Sequence, residues 1–292
     1  MNIDRRSLMK GLLAGGALLT LGVPPWTFAD QATRKPRQCL LLLGDSEVDD
    51  AFAGGVRAAC VGLEYDGLRI VKVTGGLLSD ANKMDLLLER FKEARWIAVM
   101  DDASAAVFQE LARAAGGRLL SVGSHVGSED GACPLRHTWL VASPAQSVGG
   151  LLAAQLAGPR AGFSITERFL SEPANGGQLV GWSAAGFSSY RLAASESMHL
   201  HCSGFSWSEG CGLLGLAEGE GWRPIPSQVC EREKISWQPD DWAQAVGYAA
   251  AASALGMNSV QESCSSRAFV HRAHGGGQVS ARRQFVSLVM DL

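Results

Sequence analysis

The sequence has no Cys-x-x-Cys pair, no run of basic residues, no internal repeat and no apolar stretch of membrane-spanning length. Each absence removes a class of function. Without paired cysteines there is no thioredoxin-like redox motif and no usual paired-cysteine zinc site. With no clustered Lys and Arg, and a formal net charge of -3, the chain has no electrostatic footprint for nucleic acid or an anionic membrane surface. A bilayer span needs about 20 apolar residues. The apolar run from Gly11 to Val23 falls short of that and is weakened by Gly15 and Gly16. Glycine is plentiful, 35 of 292 residues, yet follows no period, which points to many turns rather than a low-complexity tract.

What is present at the amino end is an address. Arg5-Arg6-Ser7-Leu8-Met9-Lys10 resembles the twin-arginine export signal, and the apolar run after it leads to Thr27-Phe28-Ala29, with small residues where a signal peptidase reads. The resemblance implies cleavage between Ala29 and Asp30, a twin-arginine machinery as partner, and a chain that reaches the periplasm already folded. The seven cysteines, at 39, 60, 133, 202, 211, 230 and 264, all lie beyond that point. An oxidising compartment permits disulfides. Cys39 and Cys60 sit in apolar patterns and read as buried thiols, whereas Cys202, Cys211, Cys230 and Cys264 form the pairing set, with connectivity open.

From Gln38 the chain alternates between short apolar runs and helical periodicity. Cys39–Leu43, Arg69–Val73, Trp96–Met100, Leu119–Val122 and Thr138–Val141 read as strands. Between the first three lie helices: one with Val48, Phe52, Val56, Ala59 and Leu63 on a single face, and one capped by Ser79 that carries Met84, Leu87, Leu88 and Phe91. A third helix turns Val107, Phe108 and Leu111 inward, and a fourth starts at Ser143-Pro144. The pattern predicts an α/β fold: a mainly parallel five-stranded sheet with helices on both faces, in a Rossmann-like domain over 30–158. Residues 159–292 are expected as a Gly/Ser/Trp-rich α+β portion. It holds a helix over 240–255 and closes on antiparallel strands at 268–272 and 284–291.

In an open parallel sheet, ligands bind beyond the carboxyl ends of the strands. Those ends carry Asp45 and Ser46, Gly76, Asp101 and Asp102, and His125, a concentration of carboxylates, a hydroxyl and an imidazole on one edge. The same residue types also serve turns and helix caps. Gly44-Asp45-Ser46 resembles the nucleophile block of the SGNH hydrolases, which implies Ser46 as nucleophile and Gly76 as an oxyanion donor. Where that family places an Asn, this chain has Met100-Asp101-Asp102, and the family's Asp-x-x-His block is missing. The stretch 49–60 resembles the first helix of type I periplasmic binding proteins, a Phe-x-x-Gly-Val pattern that packs on a sheet. A further motif is Met198-His199-Leu200-His201-Cys202. On a strand, His199 and His201 share a face, which suits a copper or zinc ion.

The reading that follows is an exported soluble periplasmic protein that binds a small ligand or metal at the strand-end crevice. An SGNH-like hydrolase using Ser46 and a non-catalytic interaction subunit are the alternatives. Export is directly testable: Arg5→Lys with Arg6→Lys should leave the protein in the cytoplasm with its signal uncleaved. Normal periplasmic levels on cell fractionation would show that the paired arginines are not read.

Overall fold

The computed structural model describes residue 36 and residues 38–75, 77, 81–127, 135–142, 148–156, 163–169, 181–182, 187–192, 195–203, 222–224, 227–228, 237–256 and 283–292. Between 181 and 228 the description covers the backbone alone. The proposed signal segment and the strand expected at 268–272 lie outside these residues.

The first elements follow the periodicity closely. Strand β1 (Cys39–Leu43) leads to α1 (Asp49–Gly62), β2 (Leu68–Lys72), α2 (Ala81–Arg90), β3 (Arg95–Met100) and α3 (Asp102–Ala114). β1 pairs in parallel with β2 on one side and with β3 on the other. Every residue of β1 and β3 is buried, as continuous apolar runs covered on both faces require, whereas β2 is an edge strand with Arg69, Ile70 and Lys72 exposed.

Beyond β3 the sheet departs from the expected parallel order. Strands β4 (Arg118–Gly127), β5 (Leu135–Val141) and β6 (Ser164–Phe169) follow, with α4 (Val148–Leu156) between the last two. Then come β7 (Gly181–Trp182), β8 (Phe187–Leu192), β9 (Ser195–Ser203), β10 (Trp222–Pro224), β11 (Ser227–Gln228), α5 (Trp242–Ala254) and β12 (Gln284–Asp291). Among the described residues, ten strands form one mixed sheet in the order β10-β8-β9-β6-β5-β4-β12-β3-β1-β2, and β7 with β11 forms a small separate pair. The mainly parallel five-stranded sheet is therefore corrected to a mixed one, for two physical reasons.

The first is loop length. β4 runs on to Gly127 and β5 starts at Leu135, so only residues 128–134 join them. A parallel crossover takes a dozen residues or more. β4 and β5 accordingly pair antiparallel, with His125 opposite His137. The second is the carboxyl-terminal strand. β12 inserts between β3 and β4, antiparallel to both, and its run from Phe285 to Met290 is buried throughout. Residues beyond 159 thus extend the first sheet, with one of their strands at its centre.

Helices cover both faces. Phe52, Val56 and Ala59 of α1, Leu151 and Leu152 of α4 and nearly all of α5 pack with Leu41, Ile97, Trp139 and Phe285 on one face. Met84 and Leu88 of α2 and Phe108 of α3 pack with Leu40, Trp96, Val122 and Leu288 on the other. A register shift in the β4–β12 ladder skips Leu120, so that Leu120, Ser121, Gly123 and His125 serve the α5 face while Leu119 and Val122 serve the opposite one.

α5 (Trp242–Ala254) is alanine-rich, and every residue but the half-buried Gln244 is buried. Its contact with α1 is made through glycine. A methyl on Gly55 would overlap the Gln244 carbonyl oxygen, and one on Gly247 would overlap the Phe52 carbonyl oxygen. Gly54, by contrast, has the Gln244 side chain 3.6 Å from its Cβ position. Gly55→Ala and Gly247→Ala should each cost about 3 kcal/mol in denaturant unfolding, by forcing two backbones apart. Gly54→Ala should be neutral or stabilise by up to about 1 kcal/mol through helix propensity.

Candidate functional site

The carboxyl ends of β1, β2, β3 and β4 meet at one edge of the sheet, where β12 also begins. After β1 the chain continues the ladder for one residue, Gly44 N–H donating to Val99 O at 2.9 Å. Asp45 then takes a left-handed conformation (φ 65°), which aspartate tolerates better than most side chains. Asp49, at the start of α1, closes the loop. Its carboxylate accepts from the Asp45 and Ser46 amides, both at 3.1 Å, and from the Ser46 hydroxyl at 2.6 Å. Lys72 at the end of β2 lies 3.6 Å from Asp49 and 3.9 Å from Asp45, and Asp45 accepts the Gly75 amide at 2.9 Å.

After β3, Asp101 caps α3, accepting from the Ala103 and Ser104 amides, each at 2.9 Å, and from the Ser104 hydroxyl at 2.6 Å. Partial burial works to raise its carboxyl, but the Ser104 and Ala103 hydrogen bonds outweigh this and lower it below the ordinary value. Asp102 differs. It is pushed up, first by burial and then by the neighbouring Asp101, against the Gln284 amide, from which it accepts at 2.5 Å. Asp45, Ser46, Asp101 and Asp102 thus share the rim, but three of the four are engaged in turn closure or capping. Gly76 lies outside the described residues. Among the described residues, the Ser46 hydroxyl donates to Asp49 and meets no imidazole.

His125 sits elsewhere than expected. It stands within β4, not after it, and its ring points into the core beneath α5, fully buried. Its Nε2 is 2.8 Å from Ser287 Oγ on β12, and its Nδ1 is 3.0 Å from His137 Nδ1 on β5. The two ring centroids are 5.3 Å apart, which exceeds the nitrogen separation by about one ring width, so the two nitrogens face each other along the line of centres. That is a direct N–H···N hydrogen bond. Two metal ligands would instead converge on a third point.

Trp139 lies 4.5 Å from His125, Phe285 5.0 Å from it, and Trp242 5.7 Å from His137, centroid to centroid. Burial, the first cause for both rings, drives His137 down to about 3 and His125 well below its ordinary value, with His137 contributing to the latter. Sequence reasoning missed His137 and Ser287. Alternation along Leu135–Val141 puts His137 on the same face as Trp139, but the β4–β5 and β4–β12 pairings that unite the cluster are long-range.

β9 is a strand, so His199 and His201 do share a face, in register with Glu167 and Ile165 of β6. β6, β5, β4 and β12 stand between β9 and β3, which separates this pair from the rim. Among the described residues, no three metal-ligating side chains converge on a point. No helix among them is long and apolar enough to cross a membrane.

No family model, curated protein or solved structure matches this chain. The two adjacent rim carboxylates should respond oppositely to substitution. Asp101→Ala should cost about 1 kcal/mol as a lost cap. Asp102→Asn, which keeps an oxygen for Gln284 and removes a poorly solvated charge, should raise the melting temperature near neutral pH. A loss of stability in Asp102→Asn would show that its charge is held by partners that favour it.

Proposed function

We propose that this chain is an exported small-ligand-binding protein whose site is the crevice above the carboxyl ends of β1 and β3. The observation that supports it is topological. β1 and β3 are neighbours, yet the helices that leave them pack on opposite faces: α1 with α4 and α5, α3 with α2. Loops that diverge in this way open a crevice between them, the recurrent ligand position in open α/β sheets. Its walls are the Gly44–Ser46 turn and the start of α3, with Gln284 entering from β12.

The chemistry of those walls selects the ligand class. Asp45, Asp49 and Asp101 are already occupied by amides, hydroxyls and Lys72. Asp102 is a half-buried carboxylate with one amide partner. A ligand carrying an ammonium or several hydroxyls would relieve that charge, whereas an anion would add to it. The site is thus read as one for a small amine or polyol.

Thermal unfolding of the mature protein with a panel of primary amines, amino acids and polyols tests the proposal. At least one of these should raise the melting temperature, and Asp102→Asn should abolish the gain while leaving the ligand-free protein folded. The reading falls if none of these compounds raises it, if the gain survives Asp102→Asn, or if small anions alone stabilise the protein.

A further inference from the structure

We propose that the His125–His137 pair is an acid-triggered latch for the amino end of α5: while neutral it keeps Trp242 docked on the sheet, and once protonated it releases that end while the carboxyl end stays bound. The inference is independent of the crevice and uses different residues.

The pair holds a single proton between its two Nδ1 atoms. When His125 donates it, His125 Nε2 accepts the Ser287 hydroxyl; when His137 donates it, His125 Nε2–H donates to Ser287. In both arrangements His137 Nε2 is buried without a partner, and so is the indole nitrogen of Trp242, whose ring meets His137 edge to face. A further proton would therefore place a charge between aromatic rings, with no carboxylate hydrogen-bonded to either imidazole.

The ionisable groups on the surrounding elements are committed elsewhere. Glu167 of β6 accepts the Val148 and Gly149 amides of α4. Asp241 caps α5 and pairs with Arg283 ahead of β12. Arg136 of β5 alternates to the opposite face of the sheet and is exposed. On β9, His201 falls in the same cross-strand row as His137, with Ile165 of β6 between them, and His199 is in register with Glu167.

The cheapest relief for a buried imidazolium is water, and water enters where the cover is held least firmly. The two ends of α5 are held unequally. At the carboxyl end, buried Arg95 donates to Ala254 O at 2.6 Å and clasps Asp291 at 2.7 and 3.0 Å. In the middle, Gly55 and Gly247 lock α5 to α1. The amino end has the part-exposed Asp241–Arg283 pair and the Trp242–Phe285 stack, 5.2 Å between centroids. The Gly55 contact reaches Gln244, so opening is confined to the residues before it, whose carbonyls hold the α5 amides up to residue 247. In the open state the imidazoles regain their ordinary affinity for protons, so closure holds above the ordinary histidine value of 6.5 and weakens as pH falls through it.

Hydrogen exchange of the full chain, corrected for the intrinsic pH dependence, tests this at about pH 7 and about pH 5. Residues 237–246 and the facing part of β5 should exchange at least about ten-fold faster in acid, while β1, β3 and the carboxyl end of α5 keep their protection. Asp241→Asn, which retains a capping oxygen but cannot titrate, should show the same acid response. A triple variant, His125→Phe with His137→Leu and Ser287→Ala, should lose it. If that variant does not fold, the exchange pattern of the natural chain and of Asp241→Asn decides. The proposal is overturned by unchanged protection in acid, by uniform loss across the sheet, by loss centred on 148–150 (the signature of Glu167), or by an Asp241→Asn protein with no acid response.

Discussion

The backbone contact between α1 and α5 is the constraint on which the rest of the structure depends. Two helices that touch through Gly55 and Gly247 approach closely enough for α5 to sink into the core with all of its residues but Gln244 buried. Alanines suit such a position, because they fill it without side-chain entropy to lose. An Ala-rich helix by itself has little apolar area to drive docking, so its place is secured at three points. These are the glycine contact in the middle, Arg95 on the Ala254 carbonyl, and Trp242 with the Asp241 cap at its start. Arg95 also grips Asp291, which Arg118 reaches at 2.8 Å, so the end of α5 and the end of β12 share one buried cation. Removing one partner of such a cluster leaves an uncompensated buried charge and costs about 3–5 kcal/mol.

The rim shows how structural and functional demands compete for the same residues. Strand-to-helix turns need acceptors for orphan amides, and aspartate supplies them at Asp49 and Asp101. A carboxylate used in this way has its lone pairs filled and is a poor ligand group. Asp102, next in sequence to a cap, escapes this because its side chain projects toward β12 and meets Gln284 instead. The distinction between two adjacent aspartates thus depends on a strand that arrives from residue 284, far away in the chain.

The first three strands and their helices were legible in the sequence because their signals are local. Continuous apolar runs such as Cys39–Leu43 mark strands buried on both faces, and the spacing of Phe52, Val56 and Ala59 marks a helix with one inward face. The helix expected over 240–255 forms as Trp242–Ala254, capped by Asp241 and followed by Gly256 with φ 73°. The expected span of the fourth strand, Leu119–Val122, fell short because Gly123, Ser124 and His125 look like a turn. They are strand residues here because β5 and β12 pair with them on both sides, and partners distant in sequence override propensity.

By itself the sequence determined the alternation of β1 to α3 and the acidic composition of their turns. Each of these is a matter of neighbouring residues and of physical preferences that act over a few positions. Only the tertiary structure decided the direction of the sheet beyond β3, the insertion of β12 at its centre, and the meeting of His125, His137 and Ser287 under Trp242. The reason is that a pairing register carries no local signature. Whether Phe285 lies beside His125 or beside its neighbour reverses every side chain between the two faces, and that choice rests on the total packing of both cores.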